Sequence, residues 1–168
     1  MPSHTIAMES PDQPAVIALI AELDAYQRSL YPPESCHMLD IQALAQPNVV
    51  FAVVRDTAAR AVGCGAVVLQ DGYGELKRMF VHPDARGQGL ASNVLAFLEQ
   101  HARAARCAGL RRETGPRQHA ALALYARHGY TRCSKFGSYT DDPLSVFMRK
   151  PLIGTPVPEP DVLNPSTA

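Results

Sequence analysis

The chain has 168 residues, of which 46% are hydrophobic, and its 16 basic and 16 acidic residues give a formal net charge of zero. This length and composition favour one domain with an ordinary core, and the zero net charge excludes a whole-molecule field that would attract nucleic acid or an acidic membrane. The longest early apolar run, residues 15–21, is too short for a membrane span or a signal sequence, so we expect a cytoplasmic protein that binds neither nucleic acid nor membrane.

The first elements predicted along the chain are a strand and a long helix. Residues 4–8 form a short β-compatible stretch, and Ser10 followed by Pro11 is a helix-start signal with Ser10 as the cap. Apolar residues recur at helical spacing from Ala15 to about Leu30, and the prolines of the run 31–33 end that helix.

The middle of the chain predicts a short helix and three strands. The helix is expected around residues 39–44. Residues 49–54 and 61–69 are β-branched runs separated by a polar turn, which is typical of an antiparallel hairpin. A fourth strand is predicted over residues 75–81, and it ends at His82-Pro83.

The second half of the chain predicts two more helices and three more strands. We expect helix 90–106 with Gly109 as its stop, strand 110–114, helix 118–128 closed by Gly129, and strands near 130–136 and 145–149. The element order β-α-(α)-β-β-β-α-β-α-β-β predicts an α/β (α+β) domain over residues 1–150, with a mixed, mostly antiparallel sheet of about seven strands and helices on both faces.

The C-terminal segment differs sharply from the rest in composition. Residues 151–168 contain five prolines among eighteen residues and show little periodicity, so we interpret them as an extended tail. Such a tail could brace a neighbouring subunit, which leaves a homodimer open.

A glycine-rich loop lies between the fourth strand and the helix that begins near Leu90. The first turn of a helix has backbone N–H groups without intrahelical partners and carries partial positive charge, which suits a phosphate. Gly87 and Gly89 have no side chain to keep a diphosphate away from those amides, and Arg86 can add a positive charge. The loop is therefore a candidate phosphate-binding site.

This loop resembles the signature of the GNAT superfamily of acyl-CoA-dependent N-acetyltransferases. The run Arg86-Gly87-Gln88-Gly89-Leu90-Ala91 is similar to that superfamily's R-G-x-G-x-A motif. The preceding Val81-His82-Pro83 turn, the run Glu113-Thr114-Gly115, and the run 124–130 with its L-Y-x-x-x-G-[FY] pattern also match in order. Ordered motifs that occur together are far more specific than the hexapeptide alone.

The resemblance implies that acetyl-CoA is the co-substrate and that strands four and five splay apart to admit its pantetheine arm. It implies that the Val81 backbone N–H polarises the thioester carbonyl and that the Tyr125 hydroxyl protonates the departing thiolate. The residues implied in binding acetyl-CoA are Met79, Phe80, Val81, Arg86, Gly87, Gln88, Gly89, Leu90, Ala91, Ser92, Gln118 and Tyr125.

The acceptor is expected on the opposite side of the sheet and is a small molecule or amino acid that carries an amine. Glu75 and Glu113 are the candidate general bases, with a slight preference for Glu75. Tyr31, Glu34 and Ser35 of the stretch that runs to His37, together with Tyr139, are the candidate acceptor-binding residues.

The same residues also allow other interpretations. Ser92 stands where a dinucleotide-binding fingerprint has its third glycine, and the histidines and cysteines lack metal-site spacing, so neither a dinucleotide nor a metal is predicted. The basic residues Arg103, Arg106, Arg111 and Arg112 form a solvated face or include a ligand of the CoA 3′-phosphate. A non-catalytic acyl-CoA sensor and a purely structural glycine loop are the alternative functions.

Overall fold

The computed structural model describes residues 4–36 and 39–152, so the predictions for His37 and for residues 153–168 lie outside the described residues. The described part forms strands and helices in the predicted order. The strands are β1 (Thr5–Met8), β2 (Val49–Arg55), β3 (Ala61–Leu69), β4 (Tyr73–Val81), β5 (Gly109–Thr114), β6 (Thr131–Cys133) and β7 (Val146–Pro151). The helices are α1 (Pro14–Leu30), α2 (Ile41–Leu44), α3 (Leu90–Ala104) and α4 (His119–Arg127), with 3₁₀ turns at Pro33–Ser35 and Pro83–Ala85.

The strands form one mixed sheet in the order β1-β2-β3-β4-β5-β7-β6. All neighbours in the described sheet pair antiparallel except β4 and β5, which run parallel. Helix α1 packs its residues Val16, Leu19 and Ile20 on one face of the sheet, and α3 packs Val94 and Leu95 on the other. The predicted fold class, with about seven strands and helices on both faces, is confirmed.

The parallel strands β4 and β5 separate partway along their length. The paired part begins with Tyr73 opposite Gly109 and ends with Leu76 opposite Arg112. Beyond that pair, β4 continues to Val81 and β5 continues to Thr114, but their residues are no longer paired with each other. We call the opening beyond the Leu76–Arg112 pair the fork. The predicted splaying of strands four and five is therefore present.

A β-bulge in β4 places the successive basic side chains of Lys77 and Arg78 on the α1 face of the sheet. The register between β3 and β4 shifts between Cys64 and Ala66, and Arg78 takes the left-handed φ of 57°. An extra residue in one strand changes which face the following side chains occupy. Arg78 reaches Asp24 on α1, whereas the next residue, Met79, packs with the α3 side of the core.

Two helix boundaries differ from the predictions. Helix α1 begins at Pro14 with Gln13 as its cap, and not at Pro11, because Ser10 Oγ accepts the Asp12 N–H in a local turn. Helix α3 ends at Ala104, and the left-handed residue after it is Arg106, at φ 63°, in place of Gly109.

Gly109 instead begins β5, where the backbone of β7 lies too close for a side chain. A Cβ there would lie 2.8 Å from the carbonyl oxygen of Lys150. Strand β7 extends through Pro151, and the next residue, Leu152, is buried and donates its N–H to the Ala108 oxygen at 2.8 Å. Across the described ranges, no helix combines the length and apolarity needed to cross a membrane.

Candidate active site

The glycine-rich loop connects the end of β4 to the first turn of α3. Gly87 and Gly89 take φ values of 80° and 74°, which L side chains rarely adopt, and a Cβ at either would meet no atom within 4 Å. Gly89 is the N-cap of α3, and no described side chain caps the helix. The first-turn N–H groups are therefore open to a ligand, and the loop fits the diphosphate of a coenzyme A thioester.

Arg86 joins the loop to the end of β4. Its Nε donates to the Val81 carbonyl oxygen at 2.9 Å, and its guanidinium lies 5.7 Å from the centre of the Phe80 ring. Each of the two terminal nitrogens of the guanidinium carries two further N–H donors, and these remain available beside the loop. Gln88 turns back toward the 3₁₀ turn, where its Nε2 donates to the Ala85 oxygen at 3.4 Å.

A cavity of about 430 Å³ lies between the start of α3, the end of β4 and α4. Of the residues predicted to bind acetyl-CoA, Gln88 does not line this cavity. The other predicted residues do: Met79, Phe80, Val81, Arg86, Gly87, Gly89, Leu90, Ala91, Ser92, Gln118 and Tyr125. The fold thus brings together predicted residues as far apart in the sequence as Met79 and Tyr125.

The backbone N–H of Val81 is directed into the fork. The neighbouring His82 N–H donates to the Val62 oxygen of the adjacent segment at 2.8 Å, toward β3. Successive backbone groups of a strand point to opposite sides, so the N–H and C=O of Val81 point away from β3. The bond from Arg86 to the Val81 oxygen is consistent with this direction.

Tyr125 of α4 is one of the residues that line this cavity. The side chain is fully buried, and its oxygen has no hydrogen-bond partner among the described residues. Burial raises the pKa of Tyr125, and the nearby positive charge of Arg112 acts in the opposite direction. The Tyr130 ring packs edge-on against Tyr125, with the ring centres 5.4 Å apart.

On the α1 face, Glu75 and Lys77 are buried and form a polar group with Tyr139, which is half-buried. The Tyr139 hydroxyl donates to Glu75 Oε2 at 2.5 Å, and Lys77 Nζ lies 3.2 Å from the same oxygen and also contacts the Tyr139 hydroxyl. Burial lowers the pKa of Lys77, while burial and the Glu75 charge raise the pKa of Tyr139. These three residues line a second cavity, of about 570 Å³.

Glu113 lies on the same face but in a different setting. Its Oε2 accepts a hydrogen bond from Ser145 Oγ at 2.8 Å. It lines a small polar cavity of about 30 Å³, together with Tyr31, Ser35, Lys77 and Arg112. The two candidate bases therefore face different cavities that both reach Lys77.

The residues predicted to bind the acceptor occupy three kinds of position. Tyr31 is buried, its hydroxyl accepts the Arg117 N–H at 2.9 Å, and it packs directly on Gly115. Ser35 donates to Asp142 at 2.7 Å, and Glu34 is exposed. Tyr31 and Ser35 therefore connect α1 to the loops beside the fork, and only Tyr139 lines the larger acceptor-side cavity.

Sequence reasoning missed the roles of Lys77, Arg78 and Arg112. All three are buried although they are charged, and all three line the small polar cavity at the fork. The signal available in the sequence was the presence of charged residues within strands that are otherwise apolar. Such residues are rarely buried without partners.

The four cysteines are free thiols, and among residues 4–36 and 39–152 no group of three or more His, Cys, Asp or Glu side chains is arranged to hold a metal ion.

Comparisons with known proteins agree with this geometry. A family model described as the Acetyltransferase (GNAT) family matches residues 17–130. The chain is 50% identical over 154 residues to a curated "IAA acetyltransferase" of Azospirillum brasilense, which covers 90% of this chain and 100% of that protein.

Two further relatives are similar over most of their length. An uncharacterized N-acetyltransferase of Escherichia coli, YedL, is 37% identical over 147 residues, which is 86% of this chain and 92% of that protein. A solved structure of a candidate acyl-CoA N-acyltransferase from Klebsiella pneumoniae is 44% identical, with a TM-score of 0.76, and the match covers 89% of this chain and 98% of that one.

Proposed function

Because the chain belongs to the acetyltransferase (GNAT) family, we propose that it transfers the acetyl group of acetyl-CoA directly to the amine of a small molecule or amino acid in a ternary complex. The observation that carries this proposal is the fork. It opens on one face to the cavity beside the glycine loop and on the other to the cavities that contain Glu75 and Glu113.

The donor side supplies the groups that bind and orient acetyl-CoA. The open N–H groups at the start of α3 and the guanidinium of Arg86 bind the diphosphate, and the edge of β4 exposed at the fork binds the pantetheine arm. A solvated Arg103 at the far end of α3 is a poor candidate for the 3′-phosphate, because it lies about four turns from the loop.

Transfer requires stabilisation of the negative charge that develops on the carbonyl oxygen and a proton for the departing sulfur. The Val81 N–H, which points into the fork, donates to that oxygen. The Tyr125 hydroxyl lacks a partner in the described residues and faces the same cavity, so it donates the proton to sulfur as the carbon–sulfur bond breaks.

The acceptor must lose a proton to attack as a neutral amine. Glu75 is the favoured base because its carboxylate is buried beside the larger acceptor-side cavity, where Lys77 Nζ lies 3.2 Å from it and the Tyr139 hydroxyl donates to it. Glu113 is the alternative base, and it faces only the small cavity.

The curated relative is named for IAA, and this name makes IAA one compound to be tested with this chain. The larger acceptor-side cavity, of about 570 Å³, has room for a small-molecule acceptor.

The proposal is tested by measuring thiol release with DTNB from acetyl-CoA in the presence of amino acids, simple amines and IAA. We expect acetyl-CoA to raise the melting temperature and at least one acceptor to release thiol. Stabilisation without thiol release from any acceptor would favour the acyl-CoA sensor. No stabilisation at millimolar acetyl-CoA would favour a purely structural glycine loop.

A further inference from the structure

Arg112 is a buried cation at the vertex of the fork. It is the last residue of β5 in register with β4, and its Nη1 donates to the carbonyl oxygen of its partner Leu76 at 2.9 Å. The guanidinium therefore satisfies a strand carbonyl at the point where the two strands part.

The positive charge of Arg112 is unusual for its depth. The residue is 7% exposed, no carboxylate of the described residues lies within ion-pairing distance, and Nε has no acceptor. Arg78, the other buried arginine of the fork, differs because it is paired with Asp24. A buried charge without a partner is costly, so its retention indicates an anion that is present only at some stage of the reaction.

The neighbour of this cation is Tyr125. The Arg112 guanidinium carbon lies 5.7 Å from the centre of the Tyr125 ring, and the phenol oxygen is also buried without a partner. Arg112 and Gln118 line both the cavity beside the glycine loop and the small polar cavity. The Tyr130 ring also packs against Tyr125, and its hydroxyl donates to Glu99 Oε2 at 2.8 Å.

We infer that Arg112 is a positioning residue for acetyl transfer, which acts through Tyr125 by stabilising the negative charge left on the phenol when its proton passes to the departing sulfur. The inference rests on the proposed function. In this step the carbon–sulfur bond breaks, sulfur receives the Tyr125 proton, and the new carbon–nitrogen bond forms to the amine. Tyr125 recovers a proton from solvent, and the amine proton leaves through the acceptor-side base.

The charge is needed because the phenol is fully buried. A phenolate in a low-dielectric site without a nearby cation is strongly disfavoured, whereas a guanidinium at this distance offsets part of that cost. Among the described residues, Arg112 is the cation that contacts the Tyr125 side chain.

The test is a double-mutant cycle on the full chain with Arg112→Met, Arg112→Lys and Tyr125→Phe, measured below the melting temperature of the least stable variant. We expect Arg112→Met and Tyr125→Phe each to lower kcat by about 10²-fold, as typical for loss of a proton donor or a stabilising group. The double variant should be no more than about twofold slower than the slower single variant, because both changes remove one function.

Two further readouts separate positioning from a merely structural role. Calorimetric Kd values for CoA should stay within about twofold of the wild-type value in all variants, and Arg112→Lys, which keeps the charge, should recover part of the kcat. The exposed Arg149→Met on β7 is the matched control and should leave kcat unchanged.

The inference would be overturned if the kcat losses of the two single variants multiplied in the double variant, or if Arg112→Met lost much of its CoA affinity. Either result would mean that Arg112 has a purely structural role. Full activity of Tyr125→Phe would also overturn it, while acetyl transfer by the wild-type chain would still support the proposed function. If Arg112→Met does not fold, the same cycle with Arg112→Gln, which also removes the charge but keeps an N–H donor, decides between the two interpretations.

Discussion

Nη2 of Arg78 lies 2.5 Å from Oδ1 of Asp24, and this ion pair connects the bulge of β4 to α1. The Arg78 side chain is 4% exposed, and its Nε has no other acceptor in the described residues. The pair therefore compensates a charge that the bulge forces into the interior. It also fixes α1 relative to the strand that borders the fork.

Asp24→Asn should lower the free energy of unfolding by about 1–3 kcal/mol, because it leaves a buried guanidinium without a counter-ion. Urea unfolding followed by circular dichroism measures this loss. Asp71→Asn, which changes an exposed carboxylate in the turn before β4, is the control. Equal stabilities of the two variants would show that the Arg78–Asp24 pair has no net effect.

Gly115→Ala should also destabilise the fold, for a steric reason. A Cβ at Gly115 would overlap the hydroxyl of the buried Tyr31, which is held by the Arg117 N–H. Overpacking of this kind costs about 1–3 kcal/mol. Tyr31→Phe removes only the hydroxyl and should cost less, so a larger loss in Tyr31→Phe than in Gly115→Ala would contradict the steric account.

Gly89→Ala should weaken CoA binding by at least tenfold, because a diphosphate on the open amides of α3 needs the space that is free around Gly89. The same variant should lose about 1–2 kcal/mol of stability, since Gly89 has a left-handed φ. Gly72→Ala is the matched control, because Gly72 has a φ of 86°, open space at its Cβ and a position remote from the cavity. Calorimetry should find similar CoA affinity in Gly72→Ala and wild type, and a similar loss of affinity in both variants would exclude a direct role of the loop.

Glu75→Gln should lower kcat by about 10²-fold, with unchanged CoA affinity, if Glu75 removes the amine proton. Glu113→Gln should have a much smaller effect. The measurement is the kcat of both variants across the pH range with the best acceptor from the panel. A larger loss in Glu113→Gln would assign the base to the carboxylate held by Ser145.

The bidentate pair of Glu9 and Arg55 predicts a pH dependence of stability. Arg55 donates to both carboxylate oxygens of Glu9, at 2.9 and 2.8 Å, and these bonds hold the Glu9 pKa below its ordinary value of 4.5. A carboxylate with a lowered folded-state pKa stabilises the fold above its unfolded pKa, and this contribution is lost as the pH falls through the folded value. The stability difference between wild type and Glu9→Gln should therefore shrink below pH 4.5. A difference that stays constant from pH 7 to about pH 3 would contradict this linkage.

The element order and most boundaries could be predicted from the sequence because they depend on local periodicity. Strand β3 was predicted with its observed bounds, and α3 begins at the predicted Leu90. The start of α1 was misplaced because Ser10 and Pro11 form a helix-start pattern, whereas Ser10 makes a turn with Asp12. The bulge at Arg78 gave no signal, because its left-handed φ falls on an arginine and not on a glycine.

The sequence by itself determined the glycine loop and the helix that follows it, because the dihedral freedom of Gly87 and Gly89 and the open amides of a first turn are properties of adjacent residues. Only the tertiary structure decided which side chains meet across the fork. The bond between Tyr139 and Glu75 joins residues 64 positions apart, and Arg112 reaches Tyr125 only because β5 and α4 pack together. Those contacts depend on strand pairing and on the packing of loops and helices against the sheet, which no local pattern specifies.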